Sequence, residues 1–308
     1  MTLKMVIDTD PGIDDAMAIL YALSDPGIDL LGLTTVFGNV PVSQATRNAL
    51  GVLAHVGAEV AVAEGAARPS VQPPQPHPDF VHGADGLGGA VPQGTPAAPD
   101  PRDAASFLID TVKADPGEVT LVPVGPLTNL AEALERAPEI ADLAREVIIM
   151  GGAVQGKGNI SPHAEANIWQ DPHAAEQVLS ATWPVRMIGL DVTEQVRCVP
   201  EDFETLAAAR PGAGGFLARA LPFYMRFHAQ NEGFHGCYMH DPTAVISAVC
   251  PEHFGFEPHP LLAVCEGEEI GATRPATDGR AAVEAALTVD AEAVRRRFLD
   301  VIATGPLP

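Results

Sequence analysis

Short apolar runs recur along the chain, separated by stretches whose apolar residues return every three or four positions. The runs MVI (5–7), LLGLTTV (30–36), VTLVPV (119–124), VIIM (147–150) and VRMIGL (185–190) are rich in β-branched residues and apolar at consecutive positions. Strands buried on both faces read this way. Helical spacing covers 14–23, 42–56, 102–114, 127–136 and 172–181. Strand–helix alternation predicts an α/β fold with an open, mostly parallel Rossmann-like sheet and helices on both faces. The C-terminal third is read as more helical, over 201–230 and from Pro242 to about Val249. No internal repeat interrupts the pattern, and residues 1–308 are expected to form a single domain.

In sheets of this kind ligands bind beyond the carboxyl ends of the strands. The loops that follow the apolar runs read DTDPGIDD, FGN, PVGPLTN, GGAVQGKGN and DVT, and they are loaded with Asp, Asn and Gly. One segment is too long for a simple connector. Residues 71–101 are dense in Pro and Gly, and they form either an inert surface loop or a lid that carries His82.

Charge narrows the choice of partner. The chain holds 40 acidic and 18 basic residues, a formal net charge of −22, so its field repels nucleic-acid backbones and anionic membrane surfaces. A neutral or cationic small molecule fits better. Hydrophobic content of 46% with 19% charged residues belongs to a globular protein. No apolar run reaches the roughly 18 residues needed to cross a bilayer. The N-terminus lacks the regions of a signal peptide, so a cytoplasmic location is expected. Cys198, Cys237, Cys250 and Cys265 show no CxxC spacing, which argues against a zinc knuckle or redox pair and for reduced core residues.

The densest chemistry stands at residues 8–16, DTDPGIDDA, where Asp8, Asp10, Asp14 and Asp15 fall within eight positions. Like charges crowded this closely repel unless something neutralises them. Pro11 and Gly12 make a turn, and Asp14 and Asp15 fall in the first helical turn, where the helix dipole favours anions. Adjacent helical residues project about 100° apart, so the two serve different partners. Without Cys or His in the cluster, its oxygen ligands suit Ca²⁺ or Mg²⁺. An aspartyl phosphatase of the haloacid-dehalogenase type would share the opening Asp8-Thr9-Asp10, but Pro11-Gly12 and the closing Asp14-Asp15 pair depart from its pattern.

DTDPGIDDA resembles the signature of the nucleoside hydrolases, the inosine-uridine-preferring N-ribohydrolase family. LVPVGPLTNLA (121–131), VIIMGGAV (147–154), GNISPHAEANIWQDP (158–172) and MHDPTAV (239–245) resemble that family's further blocks, in order. The resemblance implies Ca²⁺-dependent hydrolysis of the N-glycosidic bond of ribonucleosides to ribose and a free base. It places Asp10, Asp15, Asp241 and the main-chain carbonyl of Val124 around Ca²⁺, with Asp10 also activating a metal-bound water as general base. Asp241 precedes Pro242 and, taken alone, is an ordinary helix cap like Asp171 before Pro172. Asp8 is expected behind the other three as a supporting partner.

The same resemblance puts Asp14, Asn39, Asn159, Glu165 and Asn167 on the ribose. Relatives usually carry an aromatic between that Glu and Asn. Ala166 stands there instead, which would enlarge the pocket near the base. His240 matches a proton donor to the departing base, with a pKa expected near neutrality. His82 matches a His brought over the substrate. Tyr224 and His228, spaced i, i+4, would wall the base. Relatives are commonly homotetramers or homodimers, and nucleoside salvage is the implied setting. The alternative is a nucleoside-binding sensor of the same fold that has lost catalysis.

Overall fold

The apolar runs pack on both faces of one sheet in a computed structural model that describes residues 2–307. The first half alternates strand and helix: β1 (Leu3–Thr9), α1 (Ile13–Ser24), β2 (Ile28–Thr35), α2 (Val42–Val56), β3 (Val62–Glu64), the one-turn α3 (Asp79–His82), α4 (Ala104–Ala114), β4 (Val119–Pro123), α5 (Thr128–Arg136), the short α6 (Ile140–Leu143) and β5 (Glu146–Met150). Then come α7 (Ala166–Gln170), α8 (Pro172–Ser180), β6 (Val185–Ile188), α9 (Leu190–Thr193), β7 (Arg197–Cys198), α10 (Pro200–Ala209), α11 (Ala213–Asn231), β8 (Cys237–Tyr238) and α12 (His240–Val249). The chain closes with β9 (Phe254–His259), β10 (Leu261–Ala263), β11 (Thr273–Pro275), β12 (Val283–Val289) and α13 (Ala291–Thr304).

Eight strands form the central sheet in the order β3-β2-β1-β4-β5-β6-β12-β9. Every neighbouring pair runs parallel except β12 and β9, which pair antiparallel at the edge. Successive strand residues point to opposite faces, and the two cores divide accordingly. Met5, Ile7, Val122, Ile148, Met150 and Ile188 enter one core, whereas Val6, Leu121, Val147, Ile149, Val185 and Met187 enter the other. That sorting is why the strands read as unbroken apolar runs.

The chain builds outward from β1 through β2 to β3, then returns to place β4 on the other side of β1. A crevice opens at such a reversal, because the loops leaving the two central strands diverge. Asp10 leaves β1 on one side of it and Val124 leaves β4 on the other. All the expected strands and the first five expected helices form within two residues of their predicted bounds, and VRMIGL stops pairing at Ile188. Gly189 there packs on the Gly152 carbonyl, which a Cβ would approach to 2.6 Å, and the chain turns into α9.

The C-terminal third departs further from expectation. Its helix breaks at Pro211-Gly212 into α10 and α11, and four strands follow Cys250, beyond the two helical stretches that were expected. Two of these, β9 and β12, extend the main sheet. Gly255, Pro258 and the alanines of β12 dilute the β-branched signal that marks the central strands. Helix α12 also begins two residues before Pro242. Met239 takes the cap position, so Asp241 lies inside the first turn.

Asp171 is the capping version of the same dipeptide. Its carboxylate accepts from the Ala174 amide at the start of α8, from the Ser70 amide and hydroxyl, and from the Thr128 hydroxyl. One buried side chain thereby fixes α8, α5 and the strap that begins the 71–101 segment. Replacing Asp171 by Ala leaves those donors unpaired and is expected to cost about 3 kcal/mol. Urea unfolding of Asp171→Ala beside the parent protein checks this.

Candidate active site

Local geometry at the first turn follows from Asp15. Gly12 occupies the cap of α1, and the Asp15 carboxylate reaches back over it. One of its oxygens accepts from the Thr9 hydroxyl at 2.5 Å and the Asp10 amide at 3.2 Å; the other accepts from the Gly12 amide at 2.8 Å and Asn39 Nδ2 at 3.1 Å. Asp15 is thus the clasp of the turn. Asp8 is held one layer below, its Oδ1 accepting from Thr34 at 2.6 Å and Asn129 at 2.7 Å. It ties β1 to β2 and α5 beneath the crevice, away from the cluster above.

Asp10 and Asp14 have fewer partners than Asp15, and Asp8 likewise keeps one buried oxygen, Oδ2, without a partner among the described residues. Asp10 Oδ2 accepts from the Asn39 amide at 2.6 Å, and the Tyr224 hydroxyl lies 3.5 Å from Asp14 Oδ2. The Oδ1 atoms of Asp10 and Asp14 are buried with no hydrogen-bond partner among the described residues. Two glycines make room for Asp10. A Cβ on Gly38 would stand 1.9 Å from its Oδ2, and one on Gly125 would stand 2.6 Å from its Oδ1.

Helix α12 then carries Asp241 into the same place, although it is more than 220 positions away. Carboxylate oxygens of Asp14, Asp15 and Asp241 lie within 4.8 Å of one another. Burial, and then the neighbouring Asp15, pushes Asp10 well above the ordinary carboxylate range and Asp14 up to about 8. Asp15 is raised by burial, and Asp241 is raised far by burial and then by Asp14. Asp8 rises to about 7 through burial, against its two hydrogen bonds. Bare, this cluster is unfavourable in its ionised form. Oxygen-only donors with two unpartnered carboxylate atoms fit a hard divalent cation.

The Val124 carbonyl, just past the end of β4, accepts from Asn167 Nδ2 at 2.8 Å. A carbonyl has a second lone pair to offer. Asn167 is placed by Glu165, which caps α7 by accepting from the Asn167 and Ile168 amides and also accepts from Gly152. Burial raises the Glu165 pKa despite those three bonds. Asn159 Oδ1 accepts from the Ala166 amide at 3.0 Å and so ties the 151–160 loop to the same helix.

These groups surround a cavity of about 310 Å³. Asp14, Asp241, Asn39, Val124, Glu165, Ala166 and Asn167 line it, as does the exposed Asn159. Asp10 and Asp15 sit beneath that lining. His82, Tyr224, His228, Tyr238 and His240 form one side in a continuous row, their consecutive ring centroids 5.2, 4.4, 4.8 and 5.3 Å apart. The expected site residues therefore converge, including His82 from the 71–101 segment. That segment folds over the cavity through α3, and Pro78, Phe80 and Val81 line it as well.

The two histidines are held in different ways. His82 Nδ1 accepts from the Ile13 amide at 3.2 Å, which serves a free N–H of α1 and leaves the ring proton on Nε2. Burial pushes His82 down to about 3. His240 Nδ1 lies 2.8 Å from Thr193 Oγ1. Its pKa falls to about 3 rather than lying near neutrality, because burial and then His228 and His82 disfavour the charged ring. Thr193 itself was not foreseen, though it ends the DVT loop. Glu194, Glu232 and Tyr238 also line the cavity and were not foreseen; the i, i+4 spacing from His228 is a signal that could have found Glu232.

A switch-point cavity floored by buried carboxylates is the arrangement of an α/β enzyme for a small molecule, with an Asp-rich cluster that suits a metal ion. The family model described as inosine-uridine preferring nucleoside hydrolase matches residues 5–296. "Probable uridine nucleosidase 1" of Oryza sativa subsp. japonica is 43% identical over 256 residues, which span 82% of this chain and 79% of the relative. A solved structure entitled "Plant nucleoside hydrolase - PpNRh1 enzyme" superposes with a TM-score of 0.94 at 37% identity, covering 99% of this chain and all of that one. The purine-preferring ribonucleoside hydrolase from Gardnerella vaginalis gives 0.93 at 35%, covering 97% and 98%.

The chain belongs to the inosine-uridine preferring nucleoside hydrolases. It is a hydrolase of N-glycosyl compounds, and ribonucleosides are its substrate class. Among the described residues no helix is long and apolar enough to cross a membrane. The relatives' names divide between uridine and purines, so membership leaves the base open.

The glycine seats give a test of the geometry. Gly38→Ala puts a methyl into the Asp10 carboxylate. A displacement of about 1 Å at such a group is expected to lower ribose release about 100-fold. Steady-state turnover, with far-UV circular dichroism to verify the fold, is the measurement.

Proposed function

We propose that the protein is a Ca²⁺-dependent ribonucleoside hydrolase that yields ribose and a free nucleobase. The supporting observation is the buried carboxylate cluster at the switch point, where Asp10 Oδ1 is without a partner on the side given to ion and water and Asp14 Oδ1 is without one on the side given to the ribose. Asp10, Asp15, Asp241 and the Val124 carbonyl are the proposed holders of the ion. When bound, the ion supplies positive charge that keeps these carboxylates ionised at neutral pH and makes a neighbouring water a stronger acid.

The chain's own groups carry the remaining steps. Asp10 is the proposed general base, its Oδ2 fixed by the Asn39 amide so that Oδ1 is free to take a proton from the attacking water. Asp14, Asn39, Asn159, Glu165 and Asn167 hold the ribose hydroxyls, and a 2′-deoxy sugar would leave some of them unpaired. Bond cleavage builds positive charge on the sugar ring, which the surrounding carboxylates stabilise. His240 assists the departing base as a neutral imidazole, by donating its Nε2–H. For that, Thr193 Oγ1 donates to Nδ1 across their 2.8 Å contact. His82, Tyr224 and His228 enclose the base side and exclude water.

The same reading treats residues 1–308 as one catalytic unit working in the cytoplasm, in nucleoside salvage, as a homotetramer or homodimer. Two measurements test its core. Asp10→Asn is expected to lose at least about 1,000-fold in ribose release, since both the base and a proposed ligand are altered; retention of full turnover would remove Asp10 from its role. Elemental analysis of gently purified protein is expected to find about one Ca²⁺ per chain. Chelation should abolish activity and Ca²⁺ should restore it, whereas stoichiometric Zn²⁺ or chelator-resistant turnover would contradict the assignment.

A further inference from the structure

The aspartate of the DVT loop, at 191–193, has no part in the proposed chemistry. Thr193 reaches His240 on the base side of the cavity. Asp191, two residues earlier in α9, binds instead the loop that follows β5. Its Oδ2 accepts from the Val154 amide at 2.7 Å, and its Oδ1 accepts from the Gln155 and Gly156 amides, each at 2.8 Å. Three consecutive N–H groups thus close on one carboxylate, an arrangement that a backbone otherwise offers to a bound anion. Bonds to an ionised acceptor are about twice as strong as neutral ones. Asp191 is half-buried and lines a second cavity beside Gln155, Gly156 and Gln195, so core packing does not account for it.

The rest of that loop is held at its two ends. The Gly152 amide donates to Glu165 at 3.0 Å, and the Ala153 amide donates to Thr273 Oγ1 at 3.1 Å. Beyond Lys157, the amides of Gly158, Ile160 and Ser161 reach the Pro162 and Ala164 carbonyls at 3.2 to 3.4 Å, which folds the far end onto itself. Between these ends Asp191 takes the amides of 154, 155 and 156. Asn159 follows three residues after Gly156 and lines the first cavity; its Oδ1 accepts from the Ala166 amide, which leaves its NH₂ for a ribose hydroxyl. The intervening chain has Gly156 and Gly158 on either side of Lys157, so it has little stiffness of its own. The place of Asn159 therefore depends on where 154–156 is anchored.

We infer that Asp191 is a positioning residue for the ribose: by holding the amides of Val154, Gln155 and Gly156, it sets the loop that presents Asn159 to the sugar. The inference rests on the proposed ribose contact of Asn159. Thr193 belongs to the same turn of α9, so the loop on the sugar side and His240 on the base side take their positions from one short helix.

Asp191→Asn keeps the side chain's shape but turns an NH₂ toward an amide donor where a carboxylate oxygen stood, so at least one of the three bonds is lost. The experiment measures ribose release by the Ca²⁺-loaded protein from whichever of uridine, inosine, cytidine and adenosine the parent hydrolyses fastest. Asp191→Asn is expected to raise KM about tenfold and to change kcat far less. Asn159→Ala should raise KM by a similar factor, and the double variant should be no worse than Asn159→Ala alone, because both changes remove the same contact. Loop release has a readout apart from activity: trypsin should cut after the exposed Lys157 about fivefold faster in Asp191→Asn than in the parent, at an unchanged melting temperature. Additive KM effects in the double variant, or an unchanged rate of cleavage at Lys157, would overturn the inference and leave the ribose contact of Asn159 standing. An Asn159→Ala variant with the parent's KM would overturn both.

Discussion

Four carboxylates buried around one point impose the constraint on which this molecule's architecture turns. Asp10, Asp14, Asp15 and Asp241 all lie where water cannot screen them, and burial dominates the upward shift of each. Ionised carboxylates in such a place are stable only with hydrogen-bond donors, helix dipoles or a cation beside them. The fold supplies the first two unevenly. Asp15 receives four donors, Asp10 a single amide and Asp14 one long phenol contact. That unevenness separates the residue that shapes the turn from those with oxygen atoms left for chemistry.

The walls of the cavity are fastened to the same elements as its floor. Ile13 begins α1 beside the acidic turn, and its amide is the donor to His82 from the 71–101 segment. Asn39, at the end of the β2 loop, meets Asp10 through its backbone and Asp15 through its side chain. Asn167 binds the Val124 carbonyl while Glu165 fixes the start of α7. The aromatic row from His82 to His240 then joins α3, α11 and α12. Displacing any one of these segments moves both the polar floor and the apolar side, so substrate contact and catalytic geometry are coupled by construction.

Much of this was legible in the residues. The unbroken apolar runs identified the parallel strands, because burial on both faces removes the alternation that a half-exposed strand would show. DTDPGIDDA and the four later blocks hold Asp14, Val124, Asn159, Glu165, Asn167, His240 and Asp241, which line the cavity. The weak spots have physical reasons. β3 has three residues, and β9 carries Gly255 and Pro258, so neither stands out from a loop. Asp171 and Asp241 occur in the same Asp-Pro dipeptide, yet one caps a helix and the other lies inside a first turn aimed at the cluster. No local pattern separates them, since the difference lies in where the preceding strand delivers each helix.

By itself the sequence determined the alternation of elements, the strand interiors and the types of side chain available at the strand ends. These are local properties, set by side-chain period and turn chemistry over a few residues. Only the tertiary structure decided which acids share a site, which oxygens are left without partners, and that burial lowers the His240 pKa. The desolvation and mutual repulsion behind those outcomes depend on groups more than 200 positions apart brought within a few ångströms, and chain order does not encode such distances.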